Sequence, residues 1–318
     1  MGSAACSYEI SVPGTDLNPG ALEAHRTAGG PLSRMALALD GQPEALARLR
    51  CQWGAWLLLS ALATGGAAWG LAAQGHPQFA GRWLLIAALV LASELGMLWR
   101  RLAANHLPGQ RRLLPWLGWA NTASLVRGLL LAWLAGFLFA PWPGGWLAWA
   151  PGALYTLAVL LDGLDGAVAR ASGQPTELGA ALDINLDALG ILVAPLLAVW
   201  YGQLPAWFLL VSAARYLFLL GLWLRVRQGR PVYDLPPSAA RRALAGIVMG
   251  FTAAVLWPLF GPPLTALVGT VVMAPFLVGF ARDWLAVSGR RARGGPRRVG
   301  LNRQPGGGTA PSSPGEAT

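Results

Sequence analysis

The sequence predicts an all-α polytopic membrane protein, and three observations carry that reading. The 318 residues are 55% hydrophobic and only 12% charged, outside the range of an ordinary soluble domain. Apolar stretches approaching the roughly 20 residues a span needs recur from Trp53 almost to Trp284 with short polar breaks. The basic residues, all 24 of them arginine, fall mostly in those breaks and in the two tails.

Eight apolar segments are legible, near 53–73, 82–99, 116–140, 144–162, 178–200, 204–224, 241–260 and 264–285. Eight spans put both termini on one side of the bilayer. With the first 52 residues in the cytoplasm, the cytoplasmic breaks are those around Arg100 to Arg112, Arg170, Arg225 to Arg242 and the C-terminal tail. The opposite breaks, around His76, Pro143, Gly202 and Pro262, carry only Arg82, so the positive-inside bias favours this orientation. No basic start leads into an apolar core in the first thirty residues, and the first span is expected to act as its own insertion signal.

Four regions follow. Residues 1–48 form a Gly-, Ala- and Pro-rich cytoplasmic tail, expected to be mostly disordered with one short helix near Pro43 to Arg50. Residues 49–115 form a two-helix membrane unit ending in an Arg/Pro-rich linker, residues 116–288 a six-helix membrane domain, and residues 289–318 a disordered basic tail held near anionic headgroups. No internal repeat is evident.

The formal charge of +10 invites a nucleic-acid reading, yet arginines dispersed between apolar runs encode topology and form no binding patch. Cys6 and Cys51 have neither metal-ligand spacing nor a disulfide framework.

The chemistry is concentrated in Asp162-Gly-Leu-Asp165-Gly166-Ala-Val-Ala169-Arg170 and Gly179-Ala-Ala-Leu-Asp183-Ile-Asn-Leu-Asp187, separated by a loop containing Gly173, Pro175 and Thr176. Asp162 and Asp165 are three apart and Asp183 and Asp187 four apart, so each pair shares a helix face. The short loop makes the two helices an antiparallel pair with all four carboxylates near the cytoplasmic edge. A carboxylate at membrane depth costs about 2.5–3.5 kcal/mol even on lenient insertion scales, so four together call for a cation. Oxygen-only ligands suit Mg²⁺ or Mn²⁺, whereas zinc would ask for His or Cys, and His25, His76 and His106 lie elsewhere. Gly166 and Gly179, on the aspartate faces, leave room for a flat base or a diphosphate; Arg170 is placed to reach phosphate oxygens, and Thr176 offers a hydroxyl.

The run Asp-x2-Asp-Gly-x2-Ala-Arg-x8-Gly-x3-Asp-x3-Asp from Asp162 to Asp187 resembles the signature of the CDP-alcohol phosphatidyltransferases at all eight fixed positions. Asn121-Thr-Ala-Ser124-Leu-Val-Arg127 is similar to the Asn-x-x-Thr-x-x-Arg run that opens the first core helix of that family, with Ser124 in place of Thr and the hydroxyl retained. The resemblance covers residues 116 to 285 and leaves residues 1–115 without a counterpart. It implies a six-helix core with two extra N-terminal helices, and a transferase that moves a phosphatidyl-type group from a CDP-linked lipid such as CDP-diacylglycerol to an alcohol, releasing CMP. It implies two divalent ions, Mg²⁺ or Mn²⁺, held by Asp162, Asp165, Asp183 and Asp187, with Asp187 also taking the acceptor proton. It implies CDP-lipid contacts from Asn121, Ser124, Gly166, Arg170, Thr176 and Gly179, and a homodimer. The expected setting is the plasma membrane of a prokaryote, with the site facing the cytoplasm.

Arg127, Arg215, Arg241, Arg242 and Arg282 fall in the cytoplasmic halves of the core helices, where arginines either orient spans or line a phosphate pocket. Arg241, Arg242 and Arg282 are the preferred acceptor contacts, because they open and close the last two spans. Asp283 is expected to pair locally, Asn185 to bond between helices, and Gly65, Gly66 and Gly70 to permit close helix packing. Glycerol 3-phosphate, inositol phosphate, inositol and serine are all open as acceptors. Two other readings stand beside this one: a CDP-amino alcohol donor with diacylglycerol as acceptor, and a cation or proton transporter whose aspartates form an ion path.

Overall fold

A computed structural model describes residues 42–110, 112–172, 176–233 and 238–289; within it the side chains of residues 165–172 lie outside the description. Among the described residues there are eight α-helices and no strand. They are α1 (Gln42–Ala73), α2 (Pro77–Arg101), α3 (Gly118–Ala135), α4 (Ala150–Ser172), α5 (Glu177–Trp200), α6 (Leu210–Arg227), α7 (Ala239–Val255) and α8 (Leu264–Val287). Each of the eight expected segments has its helix. Six helices are long and apolar enough to cross a membrane. The two outside that group are α3, with 18 residues, and α7, with 17. The first is long enough but carries Asn121 and Arg127 among its apolar residues, and the second, at 1.5 Å per residue, reaches only about 26 Å, short of the roughly 30 Å hydrocarbon core.

The first boundary differs from expectation. Gln42 to Ala73 is one continuous 32-residue helix, so the short helix expected near Pro43 to Arg50 is the first part of a span. Nothing between Pro43 and Trp53 breaks the pattern, because Pro43 stands in the first turn, where its missing N–H costs no hydrogen bond. The C-terminal tail and the N-terminal 41 residues lie outside the description.

Helices α3, α4 and α5 form the centre, with α3 packed against both α4 and α5 and against α2 on its other side; α7 joins α4, α5 and α8, and α6 packs on α8. The outward faces carry exposed Leu, Val and Trp in numbers that would be untenable in water, among them Leu58, Leu62, Leu85, Leu89, Leu217 and Leu267. This is how a protein presents itself to lipid.

The N-terminal pair is held to the core by tryptophans. Trp83 of α2 is buried and donates its indole N–H to Trp133 O at 3.0 Å, while Trp133 donates to Thr64 Oγ1 of α1 at 3.0 Å. The Trp83 ring lies against Gly136, where an added Cβ would fall 2.6 Å from the indole nitrogen. A ring pinned by a hydrogen bond has no easy way to yield. Gly136→Val is therefore expected to lower stability by about 1–3 kcal/mol through overpacking, read as a fall in the detergent-solubilised melting temperature; an unchanged melting temperature would show that this contact does not hold the unit in place. By contrast, a Cβ at Gly65, Gly66 or Gly70 would meet nothing within 4 Å, so among the described residues nothing packs closely on these glycines.

The Arg/Pro linker is more than a break between units. Asn105 within it is wholly buried and donates to Leu114 O at 3.0 Å and Trp116 O at 2.8 Å. Gln52 of α1 donates to Pro115 O at 2.9 Å and accepts from Leu117 N–H at 3.0 Å. The segment that leads into α3 is thus fixed from both sides before the core begins.

Candidate active site

Helix α5 begins at Thr176, whose hydroxyl oxygen accepts the Gly179 N–H at 3.0 Å as an N-cap. Across from it, the Asn121 side-chain amide nitrogen lies 2.7 Å from Leu117 O, 3.2 Å from Thr176 Oγ1 and 3.2 Å from Asn105 Oδ1. Glu177 N–H also donates to His106 O at 3.0 Å. The start of α5, the start of α3 and the linker are therefore tied into one polar knot. Gly179 fits this knot for a steric reason: a Cβ there would fall 2.6 Å from Asn121 Oδ1. Three of the expected donor-lipid contacts, Asn121, Thr176 and Gly179, thus adjoin one another, with both side chains buried. Ser124, one turn along α3 from Asn121, is also buried and donates to Ala120 O at 3.1 Å.

From this fixed start α5 carries Asp183 and Asp187 on one face, and the end of antiparallel α4 brings Asp162 to meet them. One carboxylate oxygen from each of the three lies within 4.8 Å of the others. Three of the four aspartates of the motif thus meet. Asp165, Gly166 and Arg170 occupy the last turns of α4, but their side chains lie outside the described residues.

Arg127 stands at the centre of this group. Its side chain is only 1% exposed, and it forms ion pairs with Asp162 and Asp187, each in direct contact, and with Asp183 at 3.3 Å. Its sequence position suggests either a span-orienting role or a place in an acceptor pocket. The fold instead directs it inward from the middle of α3, because α4 and α5 both pack on that face. The carboxylates keep contact with water on their other side: Asp162 and Asp187 are about a third exposed and Asp183 about half.

The remaining arginines divide. Arg215, Arg241 and Arg242 line a cavity of about 310 Å³ between α6, α7 and α8, together with Ile191 of α5, Phe218, Leu244, Phe276 and Phe280. Arg282 is exposed and is not part of that lining. One residue further along α8, Asp283 faces inward and pairs with Arg241 at 3.5 Å, as its local-pairing expectation held. Arg215 donates to Ile184 O at 2.9 Å, and its buried Nε has no acceptor among the described residues. Asn185 does not bond between helices; it donates to Ala181 O one turn back at 2.7 Å in α5.

A sequence model of one family, described as CDP-alcohol phosphatidyltransferase, matches residues 117–284, just over half of the chain and all of the helices that build this site. The chain belongs to the CDP-alcohol phosphatidyltransferase family. Among curated relatives, proteins of Mycobacterium bovis and Mycobacterium tuberculosis printed as "Putative cardiolipin synthase" are 28% identical over 140 residues, 43% of this chain and 63% of theirs. The chain thus spans somewhat less than two thirds of the length of those relatives. No solved structure gives a significant match.

With the family stated, the all-oxygen donor set can be judged on its own geometry. Three aspartates converging from two helices, partly open to solvent, are the ligand type that Mg²⁺ or Mn²⁺ takes. Their spacing suits a shared cation. In their present arrangement, the Arg127 guanidinium supplies a positive charge among them.

Two polar groups near this candidate site, buried Asn105 and partly buried Glu94, lie outside the sequence motifs. Asn105 lies in the linker, where no period or spacing marks it. Glu94, in the apolar middle of α2, packs its carboxylate against α3 at Gly128. A lone acidic residue between Ser93 and Leu95 in an apolar span was the available signal.

Proposed function

We propose that the protein transfers a phosphatidyl-type group from CDP-diacylglycerol to the hydroxyl of an anionic glycerophospholipid, releasing CMP on the cytoplasmic side of a prokaryotic plasma membrane. The observation that carries this reading is the meeting of Asp162, Asp183 and Asp187 at one end of α4 and α5, next to the Asn121, Thr176 and Gly179 knot. Residues 116–288 are the catalytic domain on this reading, and α1 with α2 is its support.

Asp162, Asp165, Asp183 and Asp187 are the residues that would hold two divalent ions. Bound there, such ions supply Lewis-acid polarisation of the diphosphate and neutralise the charge gathered on CMP. The rest is work for the chain. Asn121, Ser124, Thr176 and Gly179, with Gly166 and Arg170, position the cytidine diphosphate so that the phosphorus bearing the diacylglycerol faces the acceptor. Asp187 takes the hydroxyl proton as the acceptor oxygen bonds to that phosphorus and the bridging P–O bond to CMP breaks. Holding the two lipids in line supplies much of the remaining rate through orientation alone.

The acceptor is assigned from the cavity between α6, α7 and α8. Arg215, Arg241 and Arg242 suit a phosphate, and the unpartnered Arg215 Nε is a donor that a phosphate oxygen would satisfy. The phenylalanines and leucines beside them suit acyl or glycerol carbon better than a free polyol. The cardiolipin synthase name of the mycobacterial relatives agrees with phosphatidylglycerol as that acceptor. Arg282, being exposed, has a weaker part in this site than Arg241 and Arg242.

Incubation of the purified chain with CDP-diacylglycerol tests the reading. Release of CMP is expected only when Mn²⁺ or Mg²⁺ and an acceptor are both present, fastest with phosphatidylglycerol among phosphatidylglycerol, glycerol 3-phosphate, inositol phosphate, inositol and serine. CDP-diacylglycerol left intact under every condition would remove the transferase and favour ion transport. CMP release fastest with a water-soluble acceptor would remove the lipid acceptor alone.

A further inference from the structure

Arg127 is enclosed. At 1% side-chain exposure its guanidinium has no route to water, and its charge is balanced by Asp162, Asp183 and Asp187. Those are the carboxylates that the proposed function gives to divalent cations. A buried guanidinium left beside cations and stripped of its counter-ions would be strongly destabilising, so loading the site requires another acceptor for Arg127.

The described residues offer one further acidic group for that role, and it comes from outside the matched domain. Glu94 of α2 lies against the backbone of α3 at Gly128, where a Cβ would be 3.2 Å from the Glu94 carboxyl carbon and 3.2 Å from Leu186. Gly128 directly follows Arg127, and Leu186 directly precedes Asp187. The carboxylate therefore approaches the back of the site through a gap that exists because residue 128 has no side chain. Glu94 Oε1 is buried and has no hydrogen-bond partner among the described residues. An unpaired buried carboxylate oxygen is costly and needs an explanation. A cavity of about 260 Å³, lined by Glu94 with Ser124, Asn185 and Tyr216, gives the side chain room to turn. Tyr155 is a wholly buried polar side chain near Arg127, but a phenol brings no compensating charge.

We propose that Glu94 is a positioning residue that serves as an alternate counter-ion for Arg127, receiving the guanidinium when dications occupy the aspartates. The two N-terminal helices thereby take part in metal loading. This rests on the proposed metal site, and the experiment separates the two.

Mn²⁺ binding to the full-length chain in detergent is titrated by electron paramagnetic resonance, without substrates. The wild-type chain is expected to bind and Asp183→Asn to bind much more weakly; equal binding by these two would remove the aspartate site and the inference with it. Glu94→Gln is expected to weaken Mn²⁺ roughly tenfold, the lower end of what loss of a supporting partner costs a metal site, while Glu94→Asp, which keeps the charge, recovers most of that loss. The effect must pass through Arg127: in an Arg127→Met background, Glu94→Gln should leave Mn²⁺ affinity unchanged. Wild-type affinity in Glu94→Gln, a loss in Glu94→Asp as large as in Glu94→Gln, or the same loss in the Arg127→Met background would each overturn the proposal.

Discussion

Asp187→Asn is expected to reduce CMP release roughly 10²–10⁴-fold, the range that a positioned general base contributes, while leaving the chain folded and membrane-inserted. Asparagine keeps the size of the side chain and one oxygen that can accept from Arg127, so the packing of α3 on α5 has no reason to change. Proton acceptance and one unit of negative charge are lost. Asp187 is proposed both as metal ligand and as base, and these roles separate in a dication titration. If it served only as a ligand, raising Mn²⁺ would restore turnover; as a base, it leaves turnover low at saturating Mn²⁺. Asp183→Asn is the comparison, since a residue that is only a ligand should recover much of its activity at high Mn²⁺. Near wild-type CMP release in Asp187→Asn at any Mn²⁺ concentration would remove it as the base.

What could be read in advance was what depends on neighbours along the chain. The spacing of Asp162, Asp183 and Asp187 fixes their helix faces, and the short loop between α4 and α5 brings those faces together, so the cluster was legible from one stretch of sequence. The helix-breaking residues between apolar runs likewise located all eight helices. Arg127 was harder, because its partners are 35 to 60 positions away and depend on which face α3 turns to α4 and α5. Its place in the middle of Ser124-Leu-Val-Arg-Gly-Leu-Leu, away from a helix end, was nonetheless a hint that it needs a buried counter-ion rather than an interfacial position. Glu94 and Asn105 carry no local signal of partnership. The role of Glu94 depends on a glycine in another helix, and that of Asn105 on a linker folding back under α3. The glycines of α1 show the opposite error: small residues in a span suggest close packing, but a neighbour must approach them, and among the described residues none does.

Arg127→Met carries the second large effect, and its sign depends on metal. The substitution keeps an unbranched side chain of similar length and removes the charge that Arg127 brings to Asp162, Asp183 and Asp187. Breaking a buried ion pair from one side costs about 3–5 kcal/mol; the partial exposure of all three carboxylates puts the expected loss near the lower end. Without dications, the melting temperature of Arg127→Met should therefore fall well below that of the wild-type chain. Adding Mg²⁺ or Mn²⁺ should recover most of the difference, because a cation bound by the native state stabilises it by mass action. The wild-type chain should gain less from the same addition, since its cluster already holds a positive charge that must be displaced. Two positive charges of different origin thus compete for one set of carboxylates. A variant that melts equally low with and without dications would show that Arg127 serves packing alone and that the three aspartates do not share an ion.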